Sequence, residues 1–145
     1  MLSRILVPTD GSDLSKKAVL GAVETAKKIH AQLVGLTVIE PYPFTSSQSL
    51  SATRGHEGYD ERMREEARER LAPLQAAAQE AGVELETVVQ TSTSPYEAII
   101  GTAKERHCDS IFMASHGRSG LRALLMGSET QKVLTHTDIP VVVFR

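Results

Sequence analysis

The chain has no tryptophan, and aromatic residues make up only 4% of it. That leaves little material for a surface that stacks single-stranded bases or sugars. A lone cysteine, Cys108, excludes an internal disulfide and a cysteine-based zinc site. Charge of one sign is missing too: 16 Lys and Arg face 18 Asp and Glu, a net of −2, which argues against a general nucleic-acid binder. No apolar run approaches the roughly 18 residues of a membrane span, and no apolar stretch of secretory type opens the chain. A cytoplasmic location away from membranes is therefore expected. Neither G-x4-G-K-[ST] nor G-x-G-x-x-G occurs, so P-loop and dinucleotide-oxidoreductase readings have no support. G-x-S-x-G is absent as well. Ser115 and His116 are adjacent, a poor placement for a hydrolytic triad with Asp10.

What is present is ordinary for one folded domain: 145 residues, 41% hydrophobic and 23% charged. A single domain over 1–145 is expected. Two periodicities alternate along it. Ile5-Leu6-Val7 and Leu33 to Ile39 are short, continuous apolar runs, as in strands buried on both faces. Leu14, Ala18, Leu20, Ala22 and Ala26 among lysines and a glutamate predict an amphipathic helix between them. Pro41 to about Gly58, rich in Pro, Ser, Thr and Gly, reads as a long connection. Met63, Ala67, Leu71, Leu74 and Ala78 then form an apolar stripe, with Pro73 marking a kink or a junction of two helices. The Arg/Glu-rich run from Glu61 to Arg70 reads as its solvated face.

Leu85–Val89 predicts a third strand, and Ser94-Pro95-Tyr96-Glu97 a capped helix start. Ile111-Phe112-Met113-Ala114 predicts a fourth strand, with Cys108 just before it as a small buried apolar group. A helix follows from Glu129 to about Thr135, for which Ser128 and Gln131 would form the capping box, and Val141 to Phe144 closes the chain as a strand. The order βαβαβαβαβ implies an α/β fold. Its sheet is open, parallel and five-stranded, covered by helices on both faces, with the Rossmann-like order 3-2-1-4-5.

In such a sheet ligands sit beyond the carboxyl ends of the strands, where the order reverses. Two turns there stand out: Pro8-Thr9-Asp10-Gly11-Ser12, and Ser115-His116-Gly117-Arg118-Ser119-Gly120. The second leads on to Gly127-Ser128 at a helix start. Glycine amides, a hydroxyl and a helix N-terminus together suit an anion. The plainer alternative is that Gly117 and Gly120 only make a turn and Ser128 only caps a helix. Arg118 and Arg122 either neutralise phosphate or are solvated, and His116 either bonds locally or touches phosphate.

Gly117, nine further residues, and Gly127-Ser128 make the sequence similar to the ATP-binding branch of the universal stress protein family, whose signature is G-x2-G-x9-G-[ST]. Ala114 stands at the first glycine. The opening Ile5 to Ser12 and the ending Ile139 to Val143 resemble the family too. The resemblance implies a dimeric sensor or regulator that binds ATP or another adenine nucleotide with Mg²⁺ or Mn²⁺. Pro8, Thr9 and Asp10 would flank the adenosine, Val38 would meet adenine through its backbone, and Met113 and Ala114 would line the nucleoside. Gly117, Gly127 and Ser128 would hold phosphate, ordering the loop from Ser115 to Met126. Glu129 stands where the family often has an apolar residue. Its carboxylate either opposes phosphate, shares a metal, or serves as the acidic residue of a first helical turn. Val141, Val142 and Val143, an apolar edge strand, would pair two subunits. The rival expectations are a slow ATPase or self-phosphorylating enzyme, with Glu129 or His116 as a weak base, and a nucleotide-free dimeric scaffold.

Overall fold

The structure, a computed structural model, describes residues 2–42, 51–116 and 126–145, with side chains from residue 58 onward in the segment that begins at Ser51. The elements run β1 (Arg4–Pro8), α1 (Asp13–Ile29), β2 (Gln32–Ile39), α2 (Ser51–Ala81), β3 (Leu85–Thr91), α3 (Pro95–Glu105), β4 (Ser110–Ala114), α4 (Ser128–His136) and β5 (Val141–Phe144). The five strands form one sheet in the order β3-β2-β1-β4-β5, and every pairing is parallel. This is the α/β architecture that the alternating pattern implies.

The continuous apolar runs serve both faces of the sheet. Ile5, Val7, Leu33 and Phe112 point into a core closed by α1 and α2 through Val19, Ala22, Val23, Leu74 and Ala78. Leu6, Val34, Leu36, Ile111 and Met113 point the other way, against Ile99, Ile100 and Ala103 of α3 and Val133 of α4. Strand alternation thus divides each run between two cores.

Helix α1 begins where Ser12 caps it, accepting the Ser15 N–H at 3.3 Å. Asp13 in its first turn and Lys27 and Lys28 in its last complement the helix dipole. Its buried face is Ser15, Ala18, Val19, Ala22, Val23 and Ala26. Leu20, expected on that face, is 62% exposed. The face follows steps of three and four residues from Ser15, and Leu20 falls one position past it.

Helix α2 starts at Ser51, so the expected connection ends earlier than Gly58, and residues 43–50 lie outside the described residues. Gly55 and Gly58 are poor helix formers, but lengthening an existing helix costs far less than nucleating one. Pro73 lies within this one helix rather than at a junction of two. Ala67, Leu71, Leu74 and Ala78 are buried as the stripe predicts, and Met63 is half-buried. Leu71 and Leu74 sit over Gly35 of β2, where an added Cβ would come within 2.5 Å of Leu74 Cδ2.

Candidate functional site

The geometry of the reversal point is set by unequal ladders. β1 stays registered with β2 from Arg4↔Gln32 to Pro8↔Leu36. Its register with β4 covers only Ile5↔Ser110 and Leu6↔Ile111. β1 and β4 are central neighbours that part before either strand ends. Their carboxyl ends therefore lie where the connections run to opposite faces, the place at which such sheets take ligands.

On the β1 side, the Thr9 N–H donates to the Leu36 carbonyl at 2.8 Å. Thr9 is buried, and its hydroxyl lies 3.1 Å from Ser15 Oγ. Asp10 Oδ1 accepts the Ser12 N–H at 2.9 Å, an Asx turn leading into α1. Gly11 has φ 78, a left-handed conformation that suits glycine. The turn is thus built around Asp10, and Pro8 and Asp10 are both half-buried.

Val38 lies two residues beyond Leu36. Strand alternation turns its peptide groups the same way as those of Leu36, past the end of β1. Its carbonyl accepts a hydrogen bond from Arg70 Nη1 of α2 at 3.1 Å.

On the β4 side Met113 and Ala114 are buried, and the Ala114 carbonyl accepts Thr130 Oγ1 at 3.0 Å. The Ser115 N–H donates to the Phe144 carbonyl at 2.8 Å. Ser115 Oγ lies 2.9 Å from His116 Nδ1, so His116 does bond locally.

The segment returns at Gly127, whose N–H donates to the Ser115 carbonyl at 2.7 Å. That amide, which the anion reading aims at phosphate, thus bonds a main-chain carbonyl at the end of β4. Gly127 is also the N-cap of α4, and Ser128 is the first helical residue, so the expected capping box does not form. Gln131 donates its side-chain amide to the Met126 carbonyl at 3.0 Å. Gly117 and Arg118, with Arg122, lie outside the described residues.

Glu129 joins two helix starts. Its Oε2 accepts the Tyr96 N–H at 2.9 Å, and its Oε1 lies 3.3 Å from Lys132 Nζ. Ser94 is the N-cap of α3 but makes no side-chain capping bond. Glu129 satisfies a first-turn N–H there, placing negative charge at a positive helix end. It thereby ties the start of α3 to the start of α4.

Three residues make contacts to which the sequence does not point. In the sequence Arg70 reads as part of the solvated Arg/Glu face, yet it adjoins Leu71 of the buried stripe, and that adjacency is its only signal. Thr130 is buried, with its hydroxyl on two main-chain carbonyls; its three-residue spacing from Val133 marks the same inner face. Tyr96 enters through its backbone N–H, whose place in the first turn of α3 the sequence marks without naming its acceptor.

Cys108 stays outside this geometry. Burial pushes its thiol up to about 11, as befits a small core group rather than a nucleophile. Among the described residues no three His, Cys, Asp or Glu side chains gather to hold a metal ion. No described helix is long and apolar enough to cross a membrane.

An open parallel sheet whose order reverses between β1 and β4, with a helix N-terminus beside the opening, defines a doubly wound α/β domain of the kind that takes ligands at the reversal. The model of the universal stress protein family matches residues 1–145. The chain belongs to that family. It is 31% identical to universal stress protein MJ0531 of Methanocaldococcus jannaschii over 145 residues, covering all of this chain and 83% of the relative. Among solved structures it resembles the universal stress protein UspA of Lactobacillus plantarum, with a TM-score of 0.83, 24% identity, and 99% and 98% of the two chains covered. It also resembles a universal stress protein in complex with cAMP, with a TM-score of 0.67, 23% identity, and 99% and 97% covered. The universal stress protein of Archaeoglobus fulgidus in complex with dAMP gives a TM-score of 0.66, 19% identity, and full coverage of both chains.

Proposed function

We propose that the crevice between β1 and β4 binds an adenine nucleotide, ATP above all, and that the chain acts as a dimeric, cytoplasmic sensor or regulator. The early end of the β1–β4 ladder carries this reading, because the sheet opens between two neighbouring strands, one leading into the Asp10 turn and the other ending against the start of α4. The family relationship and the cAMP and dAMP complexes of similar proteins support adenine as the base.

Pro8, Thr9 and Asp10 flank the nucleoside, and the Asp10 carboxylate accepts ribose hydroxyls. Met113 and Ala114 supply the apolar wall, and Val38 meets the base edge. Ser128 and the first turn of α4 take phosphate, together with Gly117, Arg118 and His116. Gly127 contributes by bringing the start of α4 against Ser115, and Glu129 by holding α3 against α4. A helix terminus gives an anion about 0.3–2 kcal/mol, whereas millimolar binding needs about 4.1 kcal/mol. Base burial and nucleoside hydrogen bonds therefore carry most of the affinity. A Mg²⁺ or Mn²⁺ ion would be held mainly by phosphate oxygens with one or two protein groups, the usual arrangement for nucleotide-bound Mg²⁺.

The dimer would form on β5. The Ile111 N–H donates to the Pro140 carbonyl, and the Ser115 N–H to that of Phe144. By alternation the peptide groups of Val141 and Val143 face outward, and the Val142 side chain is 39% exposed. A second β5 can add to this edge. Native mass spectrometry of freshly purified protein tests both parts. The expected species is a dimer carrying adenine nucleotide in each subunit. Protein that stays nucleotide-free after incubation with millimolar ATP and Mg²⁺ would overturn the binding reading.

A further inference from the structure

Arg70 belongs to none of the contacts that the nucleotide reading requires, yet it reaches the place where that reading puts the base. Its side chain is only 15% exposed. Nη2 is paired with Glu66 one turn back on α2, and Nη1 donates to the Val38 carbonyl at 3.1 Å. Nε is buried without a partner. Thr37, one residue before Val38, is 1% exposed, and its hydroxyl is likewise buried without a partner. A cation has thus been drawn out of solvent to a main-chain oxygen, with one donor left unsatisfied. The unpartnered Nε is shared with Arg4 and Arg106; the bond to a strand carbonyl is what marks Arg70.

From this geometry we infer that Arg70 is a specificity-determining residue, an internal competitor for the base-recognising carbonyl of Val38. The inference rests on the reading that Val38 meets the base. A 6-amino purine presents an N–H donor to that carbonyl, the atom to which Arg70 already donates. To bind, it must displace Nη1 or share the oxygen with it, and the approach of two donors weakens both bonds. A 6-oxo purine presents an acceptor at the same place and can accept from Nη1 without displacing it. Arg70 therefore lowers affinity for adenine and narrows the preference for adenine over guanine. Glu66 holds the guanidinium in this position through the ion pair.

The test is the dissociation constant of AMP and of GMP for the parent and for Arg70→Met, which keeps an apolar stem and removes the donors. A hydrogen bond to a charged group is strong enough to resist displacement by about tenfold in affinity. The variant is expected to bind AMP about five- to tenfold more tightly, with GMP unchanged or weaker, so that the AMP-to-GMP preference rises. Glu66→Gln, which loosens the guanidinium but keeps it, is expected to fall between. A purely structural role for Arg70 would lower the melting temperature and leave the preference unchanged, and that result would overturn the proposal. Equal or weaker AMP binding by Arg70→Met, in a parent that binds AMP, would overturn it too while sparing the nucleotide reading. No AMP binding by either folded protein would overturn both.

Discussion

Replacing Gly127 with alanine tests whether the start of α4 lies as close to Ser115 and His116 as described. Gly127 has φ −60 and ψ 150, which any residue can adopt, so the need for glycine is one of space. A Cβ at this position would lie 3.0 Å from the Ser115 carbonyl oxygen and 3.3 Å from His116 Cα. Both are main-chain atoms, and no rotamer change can relieve the contact. Room comes only by stretching the Gly127 N–H to Ser115 bond, now 2.7 Å. Overpacking of this kind costs about 1–3 kcal/mol, and alanine is a poorer N-cap than glycine by about 1 kcal/mol. The sum is a loss of about 2–4 kcal/mol. At about 2–4 °C per kcal/mol for a domain near this size, the melting temperature falls by about 4–16 °C. Gly127→Ser adds the same Cβ but also a capping hydroxyl, so it loses about 1 kcal/mol less. Thermal melts followed by circular dichroism, under identical buffer conditions, give both numbers. A Gly127→Ala protein that melts within about 1 °C of the parent would refute the close approach.

Glu129→Ala removes the acceptor of the Tyr96 N–H and the partner of Lys132. It is expected to cost about 1 kcal/mol of stability and leave ATP affinity equal or stronger. A large loss of ATP affinity at unchanged melting temperature would put the carboxylate in the pocket after all. Gly21→Ala sets two effects against each other. Alanine favours a helix interior by about 1 kcal/mol, but its Cβ would lie 2.2 Å from Phe144 Cε1. Displacing the ring costs about 1–3 kcal/mol, so a net loss is expected on denaturant unfolding, and a gain would mean that the ring yields freely. Burial works to raise the pKa of Asp109, but hydrogen bonds from the Ser3 hydroxyl, the Ser3 N–H and the Arg4 N–H outweigh it and hold the carboxyl below its usual value. A depressed folded-state pKa stabilises above the unfolded value near 3.8 and is lost as pH falls through the folded one. Asp109→Asn should therefore lose stability at neutral pH and show a shallower decline on acid titration. An unchanged acid slope would contradict this.

The strand runs and turns were legible because their causes are local. Ile5-Leu6-Val7 ends at Pro8-Thr9-Asp10-Gly11-Ser12, where Asp10, Gly11 and Ser12 each have a conformational or capping reason to be there. The face of α1 was legible in outline only, since Leu14 and Leu20 drew the stripe away from the smaller Ser15, Val19 and Val23. The candidate site was legible as two turns but not as a set of contacts. Arg70 meets Val38 across 32 positions, and Glu129 meets Tyr96 across 33. Such pairings follow from which helix lies on which face, and no local pattern encodes them. Gly127 had a signal in its spacing, but the signal named the residue and not the job. Its amide bonds the Ser115 carbonyl, and a Cβ there would press on Ser115 and His116.

The central claim is that the crevice at the β1–β4 divergence takes the nucleotide. It is tested most directly by following backbone amide resonances of ¹⁵N-labelled protein during titration with ATP and Mg²⁺. The expected shifts cluster at Thr9, Asp10 and Gly11, at Val38, at Met113 to His116, and at Ser128 to Thr130. Saturating ATP that leaves these amides in place, or that shifts instead the opposite end of the sheet around Arg4, Glu86 and Arg106, would contradict the account.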